Sequence, residues 1–276
     1  MDRIRQQFKD IADMIRLRNG TTDSISASEM PELIRTLSGG TFTANSIVNG
    51  DGKTQTLAIN TYKAPMIIKS ILSENSLEAL KYVSEEISAK NMSYTSIYNT
   101  YGWSVGDVYN FPRADGTSFA ARIIDFNKTP KADGSGNAGI TFEVVETIGA
   151  YQMHRYAGDP GSWSGTSLRN EVLRGSIWSS YTDDLKSIIS QILNDNLYTD
   201  TLFVLSRNEM GYWSGSTYYT TYAYQYYKNN QVNGLRWTRD RKEWGSTEGY
   251  FYSNNNGSTS TEKWSSSRPV FYAFCI

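Results

Sequence analysis

The chain lacks the residues from which most metal, redox and hydrolytic sites are built. Its only cysteine is Cys275 and its only histidine is His154. One cysteine excludes an intrachain disulfide, and His/Cys metal sites or Ser–His and Cys–His catalytic pairs need more partners than these two residues supply. Cys275 lies in the apolar run VFYAFCI, which favours a buried, unreactive thiol. We predict no metal, no cofactor and no catalytic residue.

An excess of charge and a long apolar run are lacking as well. The 27 Lys and Arg residues offset 28 Asp and Glu residues, which argues against nucleic acid or an anionic membrane bound through a broad basic field. No segment approaches the roughly 18 apolar residues of a membrane span, and the polar start MDRIRQQFKD is unlike a signal peptide. We expect no nucleic-acid partner, no membrane insertion and no signal peptide.

What the chain has in abundance is tyrosine, tryptophan, asparagine and serine between Gly211 and Trp264. Binding loops favour this composition, because aromatic rings offer a large contact area at low entropic cost and small polar residues adapt their hydrogen bonds. The segment therefore predicts a recognition surface. The residues expected to be exposed there and to bind a ligand are Trp213, Tyr218, Tyr219, Tyr222, Tyr224, Trp244, Tyr250, Tyr252, Asn254, Asn255 and Asn256.

The amino-terminal residues 1–38 are predicted to form two short helices. Apolar residues recur in the first helix at coiled-coil spacing, at Ile4, Phe8, Ile11 and Ile15. Two helices of this size cannot bury a core alone. The seam packs either on its own chain or against copies of itself, and we favour the second interpretation, an oligomerisation module and most simply a trimer.

Residues 41–100 are predicted to form a β/α stem or linking segment. Asn49-Gly50-Asp51-Gly52 lies between two strand candidates and indicates a hairpin. A helix capped by Ser76 follows, with Leu77, Leu80, Val83 and Ile87 on one face. The stretch from Asn91 to Thr100 is interpreted as a polar connection.

Residues 103–276 predict an α+β domain. Its strand candidates are GDVYNF, SFAARIIDF and GITFEVVETI. The loop between the last two contains Gly134-x-Gly136-x-x-Gly139, but a strand follows instead of a helix, so we interpret it as a hairpin loop and not as a dinucleotide site.

Helix caps and a core strand are predicted further along the domain. Ser167 is expected to cap a helix ending at Gly175, and Thr182 to cap another. Ser206 and Glu209 fit a capping box, and RPVFYAFCI fits a central strand. Almost no regular element is predicted between Met210 and Arg268, so we expect a long ordered loop region.

Two resemblances add to this interpretation. Residues 11–37 resemble a module of phage and prophage tail and baseplate proteins, which implies attachment to other tail proteins through residues 1–38. The positions on that pattern are Ile11, Ala12, Ile15, Arg16, Gly20, Ile25, Met30, Pro31 and Ile34.

Residues 103–276 resemble a bacterial and phage domain of uncharacterised function, similar to the C-type-lectin-like fold in its formylglycine-generating branch. The matching positions are Ser167, Leu168, Arg169, Asp184, Leu185, Lys186, Leu202, Phe203, Leu205, Ser206, Glu209, Trp237, Arg239, Arg268, Pro269 and Phe271. The resemblance implies a framework role for Trp237. The chain has neither the calcium-binding triplets of sugar-binding lectins nor the cysteine pair of the oxidases, so those activities do not carry over.

The function we favour is a non-enzymatic receptor-binding protein of a phage tail, or of a bacteriocin-like contractile particle, that recognises a host surface glycan or protein. Its loops would suit diversification by a retroelement, which scatters Asn, Tyr and Ser over a binding surface. A purely structural tail component is one alternative. A cell-wall glycan hydrolase is another, and it would need two facing carboxylates from among Asp240, Glu243, Glu248 and Glu262.

Overall fold

The computed structural model describes residues 66–211, 223–230, 234–242, 249–253 and 259–276, together with two short strands, β1 (Ile47–Val48) and β2 (Thr54–Gln55). The two strands pair antiparallel, which confirms the predicted hairpin. The chain divides into two units, Met1–Ile67 and Ile68–Ile276. The two predicted amino-terminal helices, with the seam of Ile4, Phe8, Ile11 and Ile15, lie outside the described residues.

The second unit mixes helices and strands, as the α+β prediction requires. Its helices are α1 (Leu77–Lys90), α2 (Tyr94–Tyr101), a π-helix (Leu168–Ile177), α3 (Asp183–Ile188) and α4 (Gln225–Asn229). Its strands are β3 (Val108–Pro112), β4 (Ser118–Phe126), β5 (Ile140–Val144), β6 (Ala150–Gln152), β7 (Ile192–Asn194), β8 (Tyr198–Asp200), β9 (Arg236–Lys242), β10 (Gly249–Ser253), β11 (Thr259–Glu262), β12 (Ser267–Pro269) and β13 (Ala273–Cys275). Among the described residues no helix combines the length and apolarity needed to cross a membrane.

A central antiparallel sheet, in the described residues, has the strand order β13-β5-β4-β3. The three predicted strands are therefore confirmed, and the glycine-containing loop joins the antiparallel pair β4 and β5, as a hairpin loop does. Cys275 is fully buried in β13, as expected.

Strands β5 and β13 of the central sheet are buried on both faces, since every residue along them is buried, whereas the edge strand β3 alternates between buried and exposed residues. One face carries Phe142 and Phe274, whose rings stack with centroids 5.6 Å apart, and it packs in the main core with Trp103 and Trp237. The other face belongs to a second cluster that includes Ile124, Ala273, Cys275, Tyr224 and Tyr227. This second cluster takes its tyrosines from the segment expected to be a display loop.

Helix α1 belongs to the carboxy-terminal unit and not to a separate stem. The Ser76 side chain accepts a hydrogen bond from the Ala79 backbone N–H, as predicted, and Leu80, Val83 and Ile87 are fully buried in the main core. The unit boundary thus falls at Ile67, well before the boundary near residue 100 expected from the sequence.

Two further predictions in the helical segments are wrong. Residues 94–101 form α2 instead of a polar connection. Ser167 does not cap the π-helix, because its hydroxyl accepts a hydrogen bond from the Arg155 backbone N–H at 2.9 Å, and the helix runs past Gly175. The cap at Thr182 is confirmed, since its side chain accepts from the Leu185 N–H.

The stretch from Met210 to Arg268 contains regular structure that the sequence did not predict. Strands β9, β10 and β11 form an antiparallel sheet in the order β11-β10-β9, and α4 precedes it. The sequence RWTRDRK of β9 does not predict a strand, because it lacks the usual alternation of apolar residues; two of its arginines are buried through ion pairs instead.

Candidate binding surface

The sheet β9–β10–β11 is fixed to the core by Trp237. The indole is fully buried, and its N–H donates to the Tyr151 backbone oxygen at 2.8 Å. The framework role that the resemblance implied for this residue agrees with its position in the core. Strand β9 is thus held near its amino end, and it positions β10 and, through β10, β11.

Arg239 clamps the sheet to the neighbouring chain segments. Its side chain is almost fully buried and donates to both oxygens of Asp195 at 2.8 and 3.0 Å, to Glu209, and to the Val204 backbone oxygen at 3.0 Å. The predicted capping box is present, because the Ser206 N–H donates to the Glu209 carboxylate and the Glu209 N–H to the Ser206 hydroxyl. Burial acts to raise the pKa of Asp195, but the hydrogen bonds and charge of Arg239 outweigh it and lower that pKa.

Tyr224 is a framework residue, so the expectation that it is exposed is wrong. Its ring is 2% exposed, and its hydroxyl lies 3.0 Å from the Thr129 hydroxyl beneath the central sheet. Burial raises the pKa of Tyr224 well above its usual value. Its backbone N–H donates to the Glu209 backbone oxygen at 2.8 Å, which ties the tyrosine segment to the capping box.

The neighbouring tyrosines of α4 hydrogen-bond to a buried carboxylate on the central sheet or to an arginine beside it. Glu143 of β5 is fully buried, lies 2.7 Å from the Arg236 guanidinium, and accepts a hydrogen bond from the Tyr227 hydroxyl. Arg122 lies 3.8 Å from the same carboxylate and donates to the Tyr226 hydroxyl at 2.8 Å. A buried charge persists only when it is paired in this manner, so these tyrosines have a structural reason to be there.

Tyr250 is also buried, contrary to the prediction, whereas Tyr252 keeps part of its ring in solvent. Tyr250 belongs to the main core, and burial raises its pKa. The Tyr252 ring packs edge-on against Trp237 with centroids 6.3 Å apart, and the Arg268 guanidinium lies 4.8 Å from its centroid. Tyr252 is thus the one expected ligand contact that the described residues leave half-exposed.

The other expected ligand contacts lie outside the described residues, but the points where their segments join the framework do not. These contacts are Trp213, Tyr218, Tyr219, Tyr222, Trp244, Asn254, Asn255 and Asn256. Gly211 and Ala223 bracket residues 212–222, and a Cβ placed on Gly211 would lie 3.4 Å from the Ala223 Cβ. The two ends of that segment therefore meet.

The remaining segments join the sheet at two different ends. Residues 243–248 connect the paired residues Lys242 and Gly249, while residues 254–258 connect Ser253 and Thr259 at the other end of β10. Five residues of extended strand place these ends roughly 13 Å apart. The Ser253 hydroxyl donates to the Gly234 oxygen at 2.6 Å, so residues 231–233 join the framework beside residues 254–258.

Comparisons add no relative. No family profile, curated protein or solved structure matches this chain. The assignment of function therefore depends on the framework and on the composition of the segments that it holds.

Two of the four carboxylates considered for hydrolysis, Asp240 and Glu262, lie in the described residues, and each has a hydrogen-bond or ion-pair partner. The Arg207 backbone N–H donates to Asp240 at 2.7 Å, and Glu262 pairs with Arg268. Glu243 and Glu248 lie outside the described residues. The described part of the chain contains no group of three potential metal ligands.

The sequence interpretation missed a second set of exposed aromatic residues, on α2. Tyr94 and Tyr98 are 45% and 60% exposed, and only Ile97 of this helix is buried. A helix signal was present, since Ser93 caps the amino end and Gly102 ends the helix at a φ of 78°. It was overlooked because a single buried apolar residue gives no periodicity.

Proposed function

We propose that this chain is a non-enzymatic host-recognition protein of a phage tail or related contractile particle. In this proposal residues 103–276, within the second unit, form a C-type-lectin-like domain, and residues 1–38 attach the protein to other tail components and trimerise it. Three copies would combine weak sites through avidity. The particle, the trimer and the lectin-like relationship are all parts of the proposal.

The observation that carries the proposal is the Arg239 clamp. It joins β9, the β7–β8 turn and the capping box, and the capping box in turn holds the Tyr224 end of segment 212–222. A framework that is locked by buried charge and that holds the ends of Tyr-, Trp- and Asn-rich segments resembles a binding protein, in which rigid elements position adaptable loops.

The position of the tyrosines sharpens the proposal. Tyr224, Tyr227 and Tyr250 support the fold, so within the stretch from Gly211 to Trp264 recognition is assigned to the segments 212–222, 231–233, 243–248 and 254–258 and to Tyr252. If a retroelement diversifies the gene, the varied codons fall in those segments and spare the three buried tyrosines. A template repeat beside the gene that differs at adenines tests this idea, and variation at the buried tyrosines contradicts it.

The decisive experiment measures binding of the labelled full-length chain to a panel of bacterial strains by flow cytometry. Because residues 243–248 and 254–258 leave opposite ends of β10, Trp244→Ala and Asn255→Ala test the two ends separately. We expect one of them, together with Trp213→Ala, to weaken binding about tenfold or more, the effect of losing one central contact. Tyr156→Ala, an exposed tyrosine on a different loop, is the control and should bind as wild type.

Two results contradict the proposal. Release of soluble sugar from cell walls by the purified chain would identify a hydrolase. Absence of binding to every strain, with the chain nevertheless incorporated into particles, would identify a structural component.

A further inference from the structure

We propose that the exposed face of α2 is a binding site for a neutral glycan and forms part of the recognition surface of the chain. This inference rests on the proposed function and names its ligand class. The face is defined by the rings of Tyr94 and Tyr98 and by the side chains of Thr95 and Asn99. Each residue of this set is exposed.

The spacing of these residues suits a sugar ring. Tyr94 and Tyr98 are four positions apart, so they are neighbours on one side of the helix. Thr95 and Asn99 repeat that spacing in the adjacent row and place a hydroxyl and an amide beside the rings. Aromatic rings stack on the apolar faces of sugars, and small polar groups bind the hydroxyls at their rims.

The platform is held rigid from below. The Tyr94 hydroxyl donates to the fully buried Asp125 carboxylate at 2.6 Å, although nearly half of the ring is in solvent. Ile97, three positions from Tyr94 and therefore adjacent to it on the helix surface, is fully buried, and the Gly102 N–H donates to the Tyr98 backbone oxygen at 2.7 Å. A ring fixed before binding loses little entropy when a ligand stacks on it.

The charge of this region selects a neutral ligand. Helix α2 contains no Asp, Glu, Lys or Arg. Two lysines near the helix are paired, Lys90 with Glu86 at the α1 side and Lys128 with Asp125 at the β4 side. Helix α2 itself offers an anionic polysaccharide no cation, whereas a neutral one meets its hydroxyls, amide and rings.

The site adjoins the segments that the sequence singled out. Asp125 accepts a hydrogen bond from Tyr94 through one oxygen and from the Gln225 backbone N–H through the other at 2.8 Å. Gln225 begins α4, three residues after segment 212–222 ends. One carboxylate therefore ties the α2 platform to the start of α4.

The test uses the full-length chain on an array of neutral oligosaccharides, built from glucose, galactose, rhamnose or N-acetylglucosamine, printed beside sulfated and sialylated ones. We expect binding to neutral spots. Tyr98→Ala should weaken it roughly threefold to tenfold, as expected for one stacked ring. Tyr98→Phe should bind nearly as wild type, because the ring remains. Thermal melts should be unchanged for both, since Tyr98 is largely exposed, and Tyr156→Ala serves as the matched surface control.

The outcomes separate this inference from the proposed function. Equal binding by Tyr98→Ala and wild type, with loss on Trp213→Ala, overturns the α2 site and leaves host recognition intact. Binding confined to anionic spots, or binding to cells that protease treatment abolishes, also overturns it. Absence of binding to every strain and every spot overturns both proposals together.

Discussion

Replacing Arg239 by methionine should destabilise the carboxy-terminal unit more than any exposed substitution, because it leaves two carboxylates without their partner. The guanidinium makes four hydrogen bonds to Asp195 and Glu209 and a fifth to the Val204 oxygen. Methionine fills similar space and offers no donor.

The magnitude follows from the exposure of the two carboxylates. Removing one partner of a buried ion pair costs about 3–5 kcal/mol. The Asp195 side chain is 47% exposed and can be rehydrated, whereas that of Glu209 is 16% exposed. We therefore take the lower end of the range, about 3 kcal/mol. For a domain of this size the melting temperature should fall by about 6–12 °C.

Thermal and urea unfolding followed by circular dichroism measure this change. Arg239→Lys tests the fork geometry, because an ammonium cannot pair with both carboxylates in the plane of a guanidinium. In the double variant Arg239→Met/Glu209→Met the more buried of the two unpaired carboxylates is gone, so part of the stability should return, less the hydrogen bond that Glu209 accepts from the Ser206 N–H. A melting temperature of Arg239→Met within 1–2 °C of wild type, roughly 0.5 kcal/mol, would refute the clamp.

Three further predictions concern pH, reactivity and packing. Arg239 depresses the pKa of Asp195, so this ion pair contributes to the free energy of unfolding above roughly pH 4 and loses that contribution as pH falls further. Between neutral and acid pH the free energy of unfolding should therefore fall less in Arg239→Met than in wild type. Burial raises the pKa of Cys275 to about 12, so a thiol reagent at mildly alkaline pH should label it only after unfolding. Gly139→Ala should lower the free energy of unfolding by about 2–3 kcal/mol, since the added Cβ would lie 1.9 Å from a backbone oxygen of α1. Gly175→Ala, with no atom nearer than 3.8 Å, is the control and should melt no lower than wild type.

Periodicity and caps predicted the elements whose signals are local. The Ser76 and Thr182 caps, the Ser206–Glu209 box and the β4–β5 hairpin all depend on residues close in sequence. Each was predicted correctly for that reason. The division of the chain into units depends on distant contacts, so α1 was assigned to a stem although its apolar face is buried in the main core of the second unit.

Composition predicted the candidate surface less well, because a tyrosine can be buried as readily as it is displayed. Tyr227 is buried because Glu143 is buried and needs a donor, and no local pattern links two residues so far apart in the chain. The β9 strand was missed for a similar reason. Its arginines point to carboxylates on other segments, so its sequence appears polar while the strand itself is largely buried.

The meeting of Gly211 and Ala223 has a consequence for engineering. A segment whose ends already touch can be replaced by one of different length while the framework keeps its geometry, since doubling the length of a closed loop costs only about 0.6 kcal/mol of additional entropy. Residues 212–222 are therefore the natural place to graft a library of foreign peptides onto this chain. The left-handed Gly211, with a φ of 72°, and the buried Ala223 should be kept as the fixed ends of the graft.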